Sequence, residues 1–195
     1  RHARRRNPRV KLALLALAAC HAGCKGEAAP LPPLTAGAPT AVARARAWAE
    51  AKLGYCQAPN HERDFDGDCA TTCDREDNPA WDAYRSDCSG LIAWAWQLPA
   101  PGVTTKDLAP FQIVLSHPIR AVDLHPGDAI NNRRHAMLFA DWIARPYVAR
   151  FVEEPGCHAA LPFAREITAV VFATGTTLVV MGHGRYTAIR NDDAS

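Results

Sequence analysis

Apolar residues in this chain follow two different spacings, helical before about residue 100 and strand-like after it. Thr40 is placed to cap a helix through Ala41, Val42, Ala45, Trp48, Ala49 and Leu53, with Gly54 as its end. A second helix is expected from Ser86-Asp87-Cys88-Ser89-Gly90 into Leu91-Ile92-Ala93-Trp94-Ala95-Trp96, closed by Leu98-Pro99, with Cys88 at its N-terminus. Residues 55–86 keep no sustained period and read as a cysteine-rich loop, and residues 99–119 read as irregular. From there Ala129-Ile130, His135 to Trp142, Ala149 to Val152, Ile167 to Ala173, Thr176 to Met181 and Tyr186 to Ile189 are strand-like runs between turn residues. Helices first and strands after predict an α+β domain, its N-terminal helices packed on an antiparallel sheet.

The start of the chain has a different character. Arg1, Arg4, Arg5, Arg6, Arg9 and Lys11 precede the apolar run Leu12 to Ala19, with no acid among them. That pattern predicts a secretory signal over residues 1–20 and is too short for a permanent transmembrane helix. The segment ends Leu17-Ala18-Ala19-Cys20, which is similar to a bacterial lipobox; acylation of Cys20 and ordinary cleavage further on are both open. Residues 21–39, rich in Ala, Pro and Gly, read as a flexible linker, and residues 40–195 as the folded domain. Removing the six leading cations from 22 basic residues leaves 16 against 20 acidic ones, so basicity belongs to the leader and no nucleic-acid surface is implied. The expected place is the bacterial cell envelope, lipid-anchored or secreted, with membrane attachment only through Cys20.

Cysteine parity isolates one thiol. Cys56, Cys69, Cys73 and Cys157 can form two disulfides in an exported protein, in any of three pairings, leaving Cys88 odd. A zinc cluster of Cys56, His61, Cys69 and Cys73 is the alternative use of the same residues. Asp64-Phe65-Asp66-Gly67-Asp68 opens like a calcium loop, but Cys69 and Arg75 stand where such a loop needs Gly and Glu, so a solvated acidic turn is the competing reading. No cofactor is expected.

A thiol at a helix start meets unpaired backbone N–H groups and the positive end of the helix dipole, which favour thiolate. Such a nucleophile needs a base within reach and a third group to orient it. His135 opens the apolar strand Ala136 to Ala140, and Glu153 and Glu154 end the run Arg150 to Val152, so Cys88, His135 and one Glu can converge in an antiparallel sheet. Alternation alone leaves Glu153 and Glu154 both open. His61, His117, His125, His158 and His183 read as surface or turn residues, with His183 the runner-up base; Trp94 and Trp96 read as core.

Asp87-Cys88-Ser89-Gly90, Leu124-x-Pro126-Gly127-Asp128 and His135 heading an apolar strand, 47 residues after Cys88, resemble the NlpC-type cell-wall cysteine peptidases of the papain-like superfamily. Tyr55 matches that family's upstream tyrosine, and the resemblance spans about residues 41–155. It implies a papain-like fold and a monomer that hydrolyses γ-D-glutamyl to diamino-acid amide bonds in peptidoglycan stem peptides. It assigns Cys88 as nucleophile, His135 as proton carrier and Glu153 as the third residue, in place of the family's usual His, Asn or Gln. Tyr55, Asp87 and Ser89 fall where the family contacts substrate. The loop 56–86 and the strand-rich tail after Cys157 have no counterpart in it. A papain-like amidase or acyltransferase acting on another amide, and a catalytically silent wall-binding lipoprotein, remain as rival readings.

Overall fold

The computed structural model describes residues 40–64 and 69–193. The signal segment with Cys20, the linker 21–39 and most of the acidic turn at 64–68 lie outside the described residues.

Helix α1 (Ala41–Ala51) starts as its sequence predicts, with Thr40 Oγ1 accepting from the Ala43 N–H at 3.1 Å. It ends before Gly54, because Lys52 takes the left-handed conformation (φ 49°) and turns its N–H back onto Ala49 and Trp48 carbonyls. Helix α2 (Cys88–Trp96) is buried at every position but Trp94 and stops at Gln97, also left-handed. The two helices are tied where α1 begins and α2 ends: Arg44 Nε donates to the Ala95 carbonyl at 2.8 Å and Trp94 Nε1 to the Arg44 carbonyl at 3.1 Å.

Seven antiparallel strands follow: β1 (Ser116–Pro118), β2 (Ala129–Asn131), β3 (Ala136–Ala144), β4 (Val148–Glu153), β5 (Arg165–Thr174), β6 (Thr177–Val180) and β7 (Gly184–Asn191). Their order is β1-β7-β2-β3-β4-β5-β6, and β6 also pairs with β7. That last pairing overturns the expected α+β, papain-like arrangement of helices on an open sheet. The described residues are mostly β, a six-stranded antiparallel barrel of β2 to β7 with two short α-helices among them. The physical cause is that β7 uses both edges: Thr187 pairs with Asn131 of β2 and with Thr177 of β6, so no edge is left between them. β1, which contains Pro118 and lies in a stretch whose sequence reads as irregular, pairs with β7 outside the closed set.

Strand alternation then sorts the core into two parts. Ile130, Met137, Phe139, Phe151, Val171, Leu178 and Tyr186, drawn from all six barrel strands, fill the interior. Leu138 and Val152, on the opposite face of β3 and β4, pack with Trp48, Leu91 and Ile92 of the helices.

Cysteine parity holds: Cys56 joins Cys73, Cys69 joins Cys157, and Cys88 is free. The thiols of the alternative zinc cluster are therefore spent in disulfides, and Asp64, whose carboxylate lies 3.5 Å from Cys56 Sγ, is the remaining acid beside them. Two disulfides fit an oxidising location outside the cytoplasm. The Cys69–Cys157 bridge closes 88 residues and so removes much denatured-chain entropy. Replacing both residues by Ser is expected to lower unfolding free energy by about 2–5 kcal/mol in urea titrations.

Candidate active site

The helix that carries Cys88 is built from its first four residues. Asp87 is the N-cap; its Oδ1 accepts from the Gly90 N–H at 2.6 Å and from Ser89 Oγ at 2.9 Å. Arg85 Nε stands 3.6 Å from the other carboxylate oxygen, which offsets the cost of burying the acid. Gly90 is required by contact: a Cβ there would lie 1.9 Å from the Arg85 carbonyl oxygen. This turn leaves Cys88 at the first helical position, 8% exposed. Asp87 and Ser89, expected to touch substrate, are thus buried at 5% and 4% with their side chains turned onto the cap.

Tyr55 arrives beside this turn through two short pairings, Gly54 with Phe163 and Cys56 with Ser86. Its hydroxyl accepts from Gln57 Nε2 at 2.9 Å. Burial, and then the nearby Asp87 and Cys88, push its phenol above the usual range. The half-buried tyrosine is therefore a neutral O–H next to the thiol.

His135 is held by the turn before β3. Asn132 Oδ1 accepts from the Arg134 and His135 N–H groups at 2.8 and 2.9 Å, and the Asn132 N–H donates to the His135 carbonyl at 3.0 Å. The imidazole has Cys88 beside it and hydrogen-bonds Glu153, with Nε2 at 3.1 Å from Glu153 Oε2. Burial alone would lower its pKa, but those two partners outweigh burial and push it up to about 9. At neutral pH the ring is an imidazolium.

The strand register explains why Glu153 is the acid that meets it. Glu153 closes β4, opposite Met137 of β3 on one side and Arg165 of β5 on the other. Its Oε1 accepts from Arg165 Nε and Nη2 at 2.9 and 2.8 Å, while Oε2 faces His135 and lies 3.6 Å from His183 Nδ1. Burial would raise this carboxyl, yet the hydrogen bonds from His135 and Arg165 and the charge of His183 hold it below the usual range. Tyr186 stands edge-on to the His135 ring, 6.3 Å between centroids.

Glu154 goes the other way. It is fully buried, neither carboxyl oxygen has a hydrogen-bond partner among the described residues, and its charged neighbours are Cys88, Asp87, Glu153 and Arg75. Burial, then the negative neighbours, push its pKa up to about 10, so it is a neutral carboxylic acid at pH 7.

The structure thus brings together Cys88, His135, Glu153 and Tyr55, and sets Asp87 and Ser89 behind them. Sequence reasoning missed Arg165, Asn132 and Tyr186 and placed His183 in a surface turn. No local signal marks Arg165, whose role comes only from standing across from Glu153 in the β4–β5 register. Comparison with family models, with curated proteins and with solved structures finds no match.

Glu154 gives a pH test. Its folded pKa lies above the unfolded value, so the folded state holds the proton more tightly and the residue erodes stability as pH rises from about 4.5 to about 10. Glu154→Gln is expected to be more stable than the parent at neutral pH, with a gap that widens by up to about 1.4 kcal/mol per pH unit until about pH 10. Urea unfolding at a series of pH values measures it; a constant gap would contradict the assignment.

Proposed function

We propose that the protein is an exported thiol hydrolase that cleaves amide bonds in peptidoglycan stem peptides, with Cys88 as nucleophile, His135 as proton carrier and Glu153 as the group that orients His135. The observation that carries this reading is the hydrogen-bonded chain His135–Glu153–Arg165 beside Cys88, in which a free thiol at a helix start lies next to a histidine held cationic with the help of a buried carboxylate.

Cys88 sulfur attacks the carbonyl carbon as thiolate, and the carbonyl π pair moves onto oxygen. The backbone N–H groups of Cys88 and Ser89, first-turn donors without an intrahelical partner, are available to that oxyanion. Tyr55 offers a neutral O–H from the side. The tetrahedral adduct collapses with loss of the amine, which leaves with a proton from His135. Water then attacks the thioester while the now neutral His135 takes its proton, and the thiolate leaves as the carboxylic acid departs. Glu153 stays ionised throughout, because Arg165 holds one oxygen while His135 uses the other.

The substrate class rests on the resemblance of the Asp87-Cys88-Ser89-Gly90, Pro126-Gly127-Asp128 and His135 motifs to NlpC-type enzymes. The basic-apolar leader and the two disulfides support export, and acylation of Cys20 would tether the domain to the envelope.

Cys88→Ala is expected to abolish hydrolysis of muropeptides, read by mass spectrometry as loss of new free amines. Glu153→Gln is expected to lower kcat/KM by about 10²–10⁴-fold, since the amide cannot hold His135 charged. Full turnover by the Cys88→Ala protein would overturn the mechanism, and acyl transfer to an added amine in place of hydrolysis would reassign the reaction.

A further inference from the structure

The outer face of the barrel carries an apolar patch that strand register makes continuous. Val148 of β4, Val170 of β5 and Met181, just past β6, form one row: Val148 pairs with Val170, and the Met181 N–H donates to the Val170 carbonyl at 3.0 Å. Phe172, Val179 and Arg185 form the next row, since Phe172 pairs with Val179 and Val179 with Arg185. Alternation puts Val170 and Phe172 on the same side of β5, opposite to Val171 in the barrel interior. Tyr147, in the turn between β3 and β4, borders them where its carbonyl accepts from the Val171 N–H at 2.8 Å. Tyr147, Val170, Phe172 and Met181 are 47–63% exposed. Scattered singly, such side chains are ordinary; in adjoining rows they mark a surface that meets an apolar partner.

Charge points to the kind of partner. No Asp or Glu occurs in 142–152 or 167–190, the two segments that build this face, although the chain beyond its leader holds more acids than bases. The acids at the margin are already held: Asp141 by Arg150, Glu166 by Arg46, and Asp123, near Arg145, by Arg120. Arg185 is exposed at the end of its row. A second copy laid on this face about a two-fold axis would set the same acid-free surface against itself, with no carboxylate to meet Arg185. A bilayer with anionic headgroups answers both features, because aliphatic and aromatic groups enter the boundary between headgroups and acyl chains while arginine stays with the phosphates. Acylation of Cys20 would leave residues 21–39 between the lipid and Thr40, up to about 65 Å of extended chain, long enough for this face to reach the bilayer.

We propose that the face built on Val170, Phe172, Val179 and Met181 and bordered by Arg185 docks the domain on a lipid surface with anionic headgroups, a membrane contact additional to any anchor at Cys20. It shares the export reading with the proposed hydrolase and none of its catalytic groups.

Hydroxyl-radical footprinting of the full chain tests this residue by residue, so that binding through the leader alone is not mistaken for docking of the face. Met181, Phe172 and Tyr147 are the probes; Phe111, exposed and lying under Arg133, is the reference, and fully buried Met137 reports an intact barrel. On vesicles of phosphatidylglycerol and phosphatidylethanolamine, oxidation of Met181 relative to Phe111 is expected to fall about threefold or more. On phosphatidylcholine alone it is expected to keep its lipid-free value. Phe172→Asp should restore the lipid-free ratio on the anionic vesicles, with Met137 still protected and muropeptide hydrolysis in solution unchanged. Arg185→Glu, which leaves the apolar rows intact, should do the same.

An unchanged Met181 ratio on the anionic vesicles overturns the proposal, whether the chain floats with them or stays in solution. Equal protection on phosphatidylcholine overturns it too, as does protection that grows with protein concentration in the absence of lipid, which would assign the face to a second copy. All three results leave the hydrolase reading standing, and a Cys88 inactive on muropeptides leaves the lipid face standing.

Discussion

A carboxylate that is 2% exposed can remain charged only if cations and donors replace its water, and Glu153 is that carboxylate. Arg165 occupies one oxygen with two hydrogen bonds, and His135 and His183 face the other. Each partner comes from a different part of the β framework: the start of β5, the turn before β3 and the turn before β7. The charge of His135 is therefore tied to the register of β3, β4 and β5, because a one-residue slip would turn Glu153 to the helix side and bring Glu154 to the site. Closure of the barrel through β7 removes the freedom for such a slip.

The thiol side of the site obeys the same balance. Cys88, Asp87 and Glu153 all stand near Glu154. Arg85 offsets Asp87, Arg165 offsets Glu153, and Glu154 stays protonated. Arg75 braces the loop that leads into α2, donating to Ser86 Oγ at 2.8 Å and to the Tyr84 carbonyl at 3.1 Å. The Cys56–Cys73 bridge pins the segment that pairs with Ser86. The cysteine-rich loop thus fixes the segment from which Cys88 and Tyr55 approach each other.

Much of this site is legible in the sequence because its parts are local. A polar cap followed by an apolar run places Cys88 at a helix start, cysteine parity leaves it free, and a polar residue heading an apolar strand singles out His135. What is not local is not legible. Closure depends on β7 pairing along both edges, which leaves no mark on its period of two, so the strand runs are readable and the barrel is not. The choice of Glu153 over Glu154 and the presence of Arg165 follow from cross-strand register, which alternation cannot supply, and His183 arrives from the turn before β7. The end of α1 at Lys52 instead of Gly54 shows the same limit on a small scale, since a lysine carries no signal for the left-handed region it occupies.

Cys88 and Glu153 together keep His135 charged at neutral pH. Following the imidazole resonances of His135 by NMR across pH tests it most directly, in the parent and in Glu153→Gln. A midpoint near 9 that drops in the variant is the predicted result. A midpoint near the ordinary 6.5 in both proteins would mean that Cys88 and Glu153 do not hold the proton on His135.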